Sequence, residues 1–101
     1  MKSRVRFTPA ADRDVSRIDE WWRSNRPGSP ALFASELRRF VALLRESPSI
    51  GVSYVGSKVK GLRRHTLHRT GHQLYYTCDP AARVVTVLAV WNALSGSEPD
   101  L

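Results

Sequence analysis

The chain has 101 residues, 42% of them hydrophobic, with 16 Lys and Arg against 9 Asp and Glu for a net charge of +7 and a sequence pI near 10.5. That length suits one domain, residues 1–101, around a single core, and leaves no room for a second. The lone Cys78 excludes an internal disulfide, no apolar run approaches the ~20 residues of a membrane span, and Met1-Lys2-Ser3-Arg4 leads into no signal-peptide core, so a soluble, cytoplasmic protein is expected.

Val5-Arg6-Phe7 predicts a short opening strand, too brief to stand unless it joins a larger sheet. Thr8-Pro9 then opens a helix, with Thr8 as N-cap, Pro9 in the first turn, and Asp12 and Asp14 near the positive end of the dipole. Ala11, Val15, Ile18 and Trp22 recur at helical spacing, while Asp14 with Arg17 and Asp19 with Arg23 fall at ion-pair spacing. Trp21 and Trp22 lie about 100° apart around the axis, so one of them belongs at the margin of the core, where it is a candidate for a partner surface. Asn25-Arg26-Pro27-Gly28 breaks this helix, and Ser29-Pro30 repeats the cap-plus-proline start. Phe33, Leu37, Phe40 and Leu44 trace a second apolar stripe that Ser47-Pro48 ends. The two helices form an antiparallel hairpin whose joint apolar face needs a sheet to cover. A loop follows from Ser49 to Gly61, with a short strand around Val52 to Val55.

From Gly61 to Trp91 the turns are short enough to force an antiparallel meander. Its strands are Leu62 to Thr70, Gln73 to Cys78 and Val84 to Trp91, separated by Thr70-Gly71-His72 and by Asp79-Pro80-Ala81-Ala82-Arg83. Val84 to Trp91 shows no polar alternation and belongs inside the sheet; the cationic first strand belongs near an edge. Leu62 and Leu67 fall on opposite faces by parity, as do Tyr75 and Tyr76, of which one is expected in the core and the other exposed. Cys78 reads as a small core residue and not a nucleophile. The tail from Asn92 to Leu101 is expected to be irregular. The expected fold is α+β: an N-terminal strand, an antiparallel helix hairpin, then a three-strand antiparallel meander, with Val5 to Phe7 and the meander in one antiparallel sheet.

Charge is concentrated in one stretch. Between residues 56 and 74 lie Lys58, Lys60, Arg63, Arg64 and Arg69 and no acidic residue, with His65, His68 and His72 interleaved. Such a footprint suits nucleic acid or an acidic protein partner, and charge alone does not choose between them. No nucleophile elbow, phosphate-binding Gly loop, Cys-x-x-Cys or His-Glu-x-x-His set is present, so no cofactor is expected. His65 and His68, three apart on a strand, belong on opposite faces, which argues against a shared metal. Metal-free RNA cleavage is still chemically open, since a 2′-OH can attack its own phosphate if cations stabilise the transition state and another group moves protons.

Phe7-Thr8-Pro9-Ala10-Ala11-Asp12, Ile18-x-x-Trp21-Trp22, Asn25-Arg26-Pro27, Phe33, Glu36-Leu37, Leu44, Pro48, Gly51, Gly61-Leu62-Arg63-Arg64, Leu74-Tyr75-Tyr76, Asp79 and Val87-Leu88-Ala89-Val90-Trp91 follow one another in an order that resembles the RelE/ParE superfamily of bacterial toxins. The resemblance covers most of the chain and is closest to ParE-like members. It implies the toxin half of a type II toxin-antitoxin pair, bound by a cognate antitoxin in a hetero-oligomer, with Trp21 and Trp22 as candidate antitoxin contacts. Nuclease members of the superfamily cut mRNA on the translating ribosome with basic residues on the sheet and a Tyr or His near the end of the last strand. Here Asn92 follows Trp91, and an amide cannot act as a general acid or base. ParE-like members inhibit DNA gyrase, which requires a binding surface and no catalytic set. The resemblance therefore implies a gyrase inhibitor with Lys58, Lys60, Arg63, Arg64, Arg69 and Asn92 as target contacts, the alternative being a metal-independent mRNA endonuclease with catalytic residues unassigned.

Overall fold

Strand β1 (Arg4–Phe7) leads into helix α1 (Pro9–Asn25) and helix α2 (Leu32–Glu46), followed by strands β2 (Val52–Ser53), β3 (Arg63–Leu67), β4 (His72–Asp79) and β5 (Val84–Asn92). These elements come from a computed structural model that describes residues 2–92 and Leu101. Of the predicted irregular tail Asn92 to Leu101, Asn92 instead ends β5, paired with His72, and residues 93–100 lie outside the described residues.

The strands form one sheet in the order β1-β5-β4-β3-β2. The meander is antiparallel throughout, with Arg64 opposite Tyr75 and Gln73 opposite Trp91. The expectation of a wholly antiparallel sheet is corrected at β1, which runs parallel to β5 with Arg4 opposite Val84 and Phe7 opposite Val87. The physical reason is the connection: with two helices and the meander between them, β1 and β5 are joined by no turn that dictates direction. β5 lies between β1 and β4, as its apolar run predicts.

Both helices pack on one face of the sheet. Thr8 caps α1, its Oγ1 accepting from the Ala11 amide at 3.1 Å, and Ala11, Ile18 and Trp22 form its buried stripe. From the other flank of α1, Asp14 Oδ2 accepts from the Val90 amide at 3.0 Å, tying helix to sheet. The predicted Ser29-Pro30 start of α2 is corrected: Ser29 O accepts from the Leu32 amide at 3.2 Å in a separate turn, and the helix begins at Leu32 without a side-chain cap. The predicted stripe Phe33, Leu37, Phe40 and Leu44 is the buried face of α2. Against it lie Leu67, Leu74, Tyr76, Val85, Val87 and Val90. A β-bulge opposite Tyr75 and Tyr76 shifts the register of β5, so Val85, Val87 and Val90 all reach the helix side despite their odd spacing.

The second face of the sheet is also covered in part. Leu62, Tyr75 and Ala89 are buried there, with Tyr54, Val59, Leu88, Trp91 and Leu101 packed against them. Both Tyr75 and Tyr76 are therefore fully buried, on opposite sides. This corrects the expectation that one is exposed: the loop between β2 and β3 supplies a second apolar layer. Cys78 is half-buried against the helix-side core.

Candidate functional site: the cationic sheet face

Parity sets which side chains the sheet turns away from its helices. In β1, Val5 and Phe7 pack toward the helices, so exposed Arg4 and Arg6 point to the opposite, open face. Leu67 of β3 packs on the helix side and Leu62, just before the strand, on the open side, which assigns Arg64 and Thr66 to the open face. Cations thus flank both edges of one surface, with apolar and aromatic groups between them.

The centre of that surface is a connected row. The Arg64 guanidinium lies 5.3 Å from the centroid of the Tyr54 ring, and Tyr54 meets Tyr75 edge-on at 5.4 Å. The Tyr75 hydroxyl donates to Gln73 Oε1 at 3.1 Å, and Gln73 Nε2 donates to Thr66 Oγ1 at 3.4 Å. Each polar group is held by the next, which fixes the surface before any partner arrives. Lys58 and Lys60 are exposed on the loop that crosses this face, and its Val59 is tucked beneath.

Other predicted contacts sit elsewhere. Arg63 Nη1 donates to Gly51 O at 2.7 Å and to Ser49 O at 3.2 Å, so its guanidinium fastens the loop after α2. Arg69 lies in the turn after β3, where Glu36 of α2 accepts from the Arg69 and Thr70 amides at 2.8 and 3.0 Å and from the Thr70 hydroxyl at 2.6 Å. Asn92 is exposed at the end of β5, opposite His72. Trp21 is 47% exposed while Trp22 is buried, the division their spacing predicts. Arg4 and Arg6 were not among the residues singled out from the sequence, although the alternation Arg4-Val5-Arg6-Phe7 carries the signal.

The histidines turn away from the open face. His65 stacks on Phe40 with centroids 3.9 Å apart and planes 6° from parallel. His72 packs edge-on against Phe33 at 5.1 Å and accepts from Trp22 Nε1 at 3.2 Å. His68 lies beyond the end of β3, its ring 6.3 Å from that of His65, which corrects the expectation that strand parity separates the two. No group of three or more metal-ligating side chains occurs among the described residues.

Burial lowers the pKa of His65, with repulsion from His68 adding to it and Glu36 opposing. Burial also lowers that of His72, again opposed by Glu36. A group whose folded pKa lies below its unfolded value of 6.5 binds fewer protons in the native state, so stability rises with pH through that window. The urea midpoint should be flat above about pH 7 and fall as pH drops through 6.5. Measurement at pH 7.5, 6.5 and 5.5 checks it, and a midpoint that rises on acidification contradicts it. His65→Gln should flatten part of the slope.

A search of proteins of curated function finds no match to the chain. Among solved structures it is similar to the chromosomal ParDE toxin-antitoxin system from P. aeruginosa, at 17% identity and a TM-score of 0.70 over 90% of this chain and 96% of that one. It is also similar to the E. coli RelBE toxin-antitoxin complex, at 18% identity and 0.64 over 96% and 99% of the two chains. A third likeness is to the RelBE2 complex from Mycobacterium tuberculosis, at 22% identity and 0.64 over 91% and 99%. At these identities the structures establish a shared α+β fold. The sequence itself matches the family model for the ParE toxin of the type II parDE toxin-antitoxin system over residues 5–94, and the chain belongs to that family.

Proposed function

We propose that this toxin arrests growth by binding DNA gyrase through its open sheet face, and that a co-encoded antitoxin neutralises it in a cytoplasmic complex. The observation that carries the target is the placement of proton-transfer groups. His65 and His72 turn toward the helices and His68 sits against His65. Tyr75 is buried and donates to an amide oxygen, which takes up no proton near neutral pH. A surface with cations at both edges and no imidazole between them is suited to binding an acidic partner. Antitoxin neutralisation is supported by the family and by likenesses to structures that are themselves toxin-antitoxin complexes.

The alternative, ribosome-dependent mRNA cleavage, draws on the same surface, because Arg64 beside Tyr54 would also suit a phosphate. Arg64→Ala and Arg6→Ala should each weaken toxicity at least tenfold under either reading, by loss of a charge at the contact. The assay that separates the two uses purified protein with gyrase and plasmid, and with translating ribosomes and mRNA. Inhibited supercoiling with intact message is the expected result; cut message with normal supercoiling overturns the gyrase target. Asn92→His supplies a second arm. If that change creates cleavage where the parent has none, the scaffold lacked only a proton-transfer group.

A further inference from the structure

The open face carries a second polar feature, between β1 and β4. Arg6 of β1 stands beside Thr86 of β5, and Thr86 stands opposite Thr77 of β4. Parity turns all three side chains the same way. Val5 and Phe7, Val85 and Val87, and Tyr76 and Cys78 pack toward the helices, so the residues between them, Arg6, Thr86 and Thr77, point to the other side. At about 4.8 Å per strand, the cation and the two hydroxyls form a row roughly 10 Å long across three strands. Arg6 is exposed and both threonines are half-buried, so solvent reaches all three.

Among the described residues Arg6 takes part in no ion pair, and neither threonine hydroxyl takes part in a side-chain hydrogen bond. The row farther along the sheet differs, since Gln73 holds Thr66 and Arg64 lies over Tyr54. Three adjacent donors on one surface suit an anion. Their flanks restrict its kind. On one side the β-bulge in β5 brings Leu88 and Ala89 to the same face, where they pack with Leu62 and Tyr75 as an apolar shoulder. On the other side, two residues along β4 from Thr77, lies exposed Asp79, its Oδ1 accepting from the Ala81 and Ala82 amides. A phosphate backbone followed along the strands would meet a carboxylate in one direction and the apolar shoulder in the other. A single carboxylate carried on a side chain meets neither obstacle.

We propose that Arg6, Thr86 and Thr77 form a carboxylate-binding subsite of the open face, filled by an Asp or Glu side chain of gyrase whose apolar neighbour rests on Leu88. One carboxylate oxygen accepts from the Arg6 guanidinium and the other from the threonine hydroxyls. The inference rests on the gyrase reading above and adds to it the residues that choose among acidic partners. Arg6 attracts any anion, but two hydroxyls fixed on paired strands select a group that accepts from all three donors together.

The test measures binding of the full chain to purified gyrase, with and without DNA. Thr86→Val and Thr77→Val keep the branched shape and the strand preference and remove only the hydroxyl. Each should raise Kd for DNA-free gyrase roughly tenfold, the loss expected for a hydrogen bond to a charged group, with an unchanged melting temperature. Thr86→Val combined with Arg6→Ala should raise Kd by less than the product of the two separate effects, because both act on one carboxylate; a full product contradicts the shared ligand. Threonine variants that bind like the parent while Arg6→Ala binds weakly overturn the subsite and leave the gyrase reading standing. Threonine variants impaired only toward the complex of gyrase with DNA, or toward a short DNA duplex alone, show the ligand to be a phosphate and overturn the carboxylate. A parent that binds no gyrase removes both this subsite and the target.

Discussion

Gly51→Ala should lower the melting temperature by roughly 10–20 °C, the shift that a loss of about 3 kcal/mol produces in a domain of this size. A Cβ built at Gly51 would stand 2.5 Å from the Tyr76 hydroxyl and 2.8 Å from the carbonyl oxygen of Arg64. The backbone oxygen belongs to a strand paired on both sides and cannot step aside cheaply. Making room costs about 1–3 kcal/mol as overpacking, and the displaced hydroxyl costs about 1–3 more if its buried bond is lost. That bond is the one Gly51 N donates to the Tyr76 hydroxyl at 2.8 Å. Because Gly51 O also receives Arg63, the substitution should loosen β2 beside Arg64 and reduce toxicity along with stability. Gly28→Ala is the control, since nothing lies within 4 Å of its added methyl. Thermal unfolding of both variants checks the difference, and equal melting temperatures would contradict the packing argument.

Phe40→Ala should cost about 3–5 kcal/mol, the range for removing a buried aromatic ring. Phe40 is 4% exposed, stacks on His65 and meets Tyr76 edge-on at 6.3 Å, so it joins α2 to both β3 and β4. Against a total stability of about 5–15 kcal/mol, the variant is left marginal at physiological temperature. It should also lose part of the acid sensitivity, because His65 gains access to water and its pKa returns toward the ordinary value. Urea unfolding at pH 7.5 and 5.5 measures both effects. A loss under 1 kcal/mol would mean that the helix and sheet do not depend on this ring.

What the residues disclosed without coordinates was whatever depends on local spacing. Thr8-Pro9 announces α1, Phe33 to Leu44 trace the face of α2, and the unbroken apolar run of β5 places it inside the sheet. Features decided by distant pairing were not legible. The direction of β1 rests on a partner some 80 positions away, and with it the delivery of Arg4 and Arg6 to the open face. The burial of both Tyr75 and Tyr76 is not legible either, because the cover on Tyr75 comes from Tyr54 and Val59, in a loop whose composition says only that it is irregular. Lys58, Lys60 and Arg64 were visible as a run of charge, but charge does not distinguish Arg64, set on the open face, from Arg63, which fastens the chain's own loop. The bond that Trp22 donates to His72 spans 50 positions, and no local pattern announces it.

The pairing of β1 with β5 also bears on when the molecule becomes active. β1 is synthesised before every other strand of this sheet, and its neighbour there among the described residues, β5, runs to Asn92. Until β5 is made, α1 and α2 have no central strand to cover, and the core contacts of Val85, Val87 and Val90 do not exist. A nascent or prematurely terminated chain that ends before Val84 therefore lacks the middle of its sheet and has no assembled cationic face. For a toxin that acts through this face, as proposed above, this topology confines activity to molecules whose synthesis has run through the last strand.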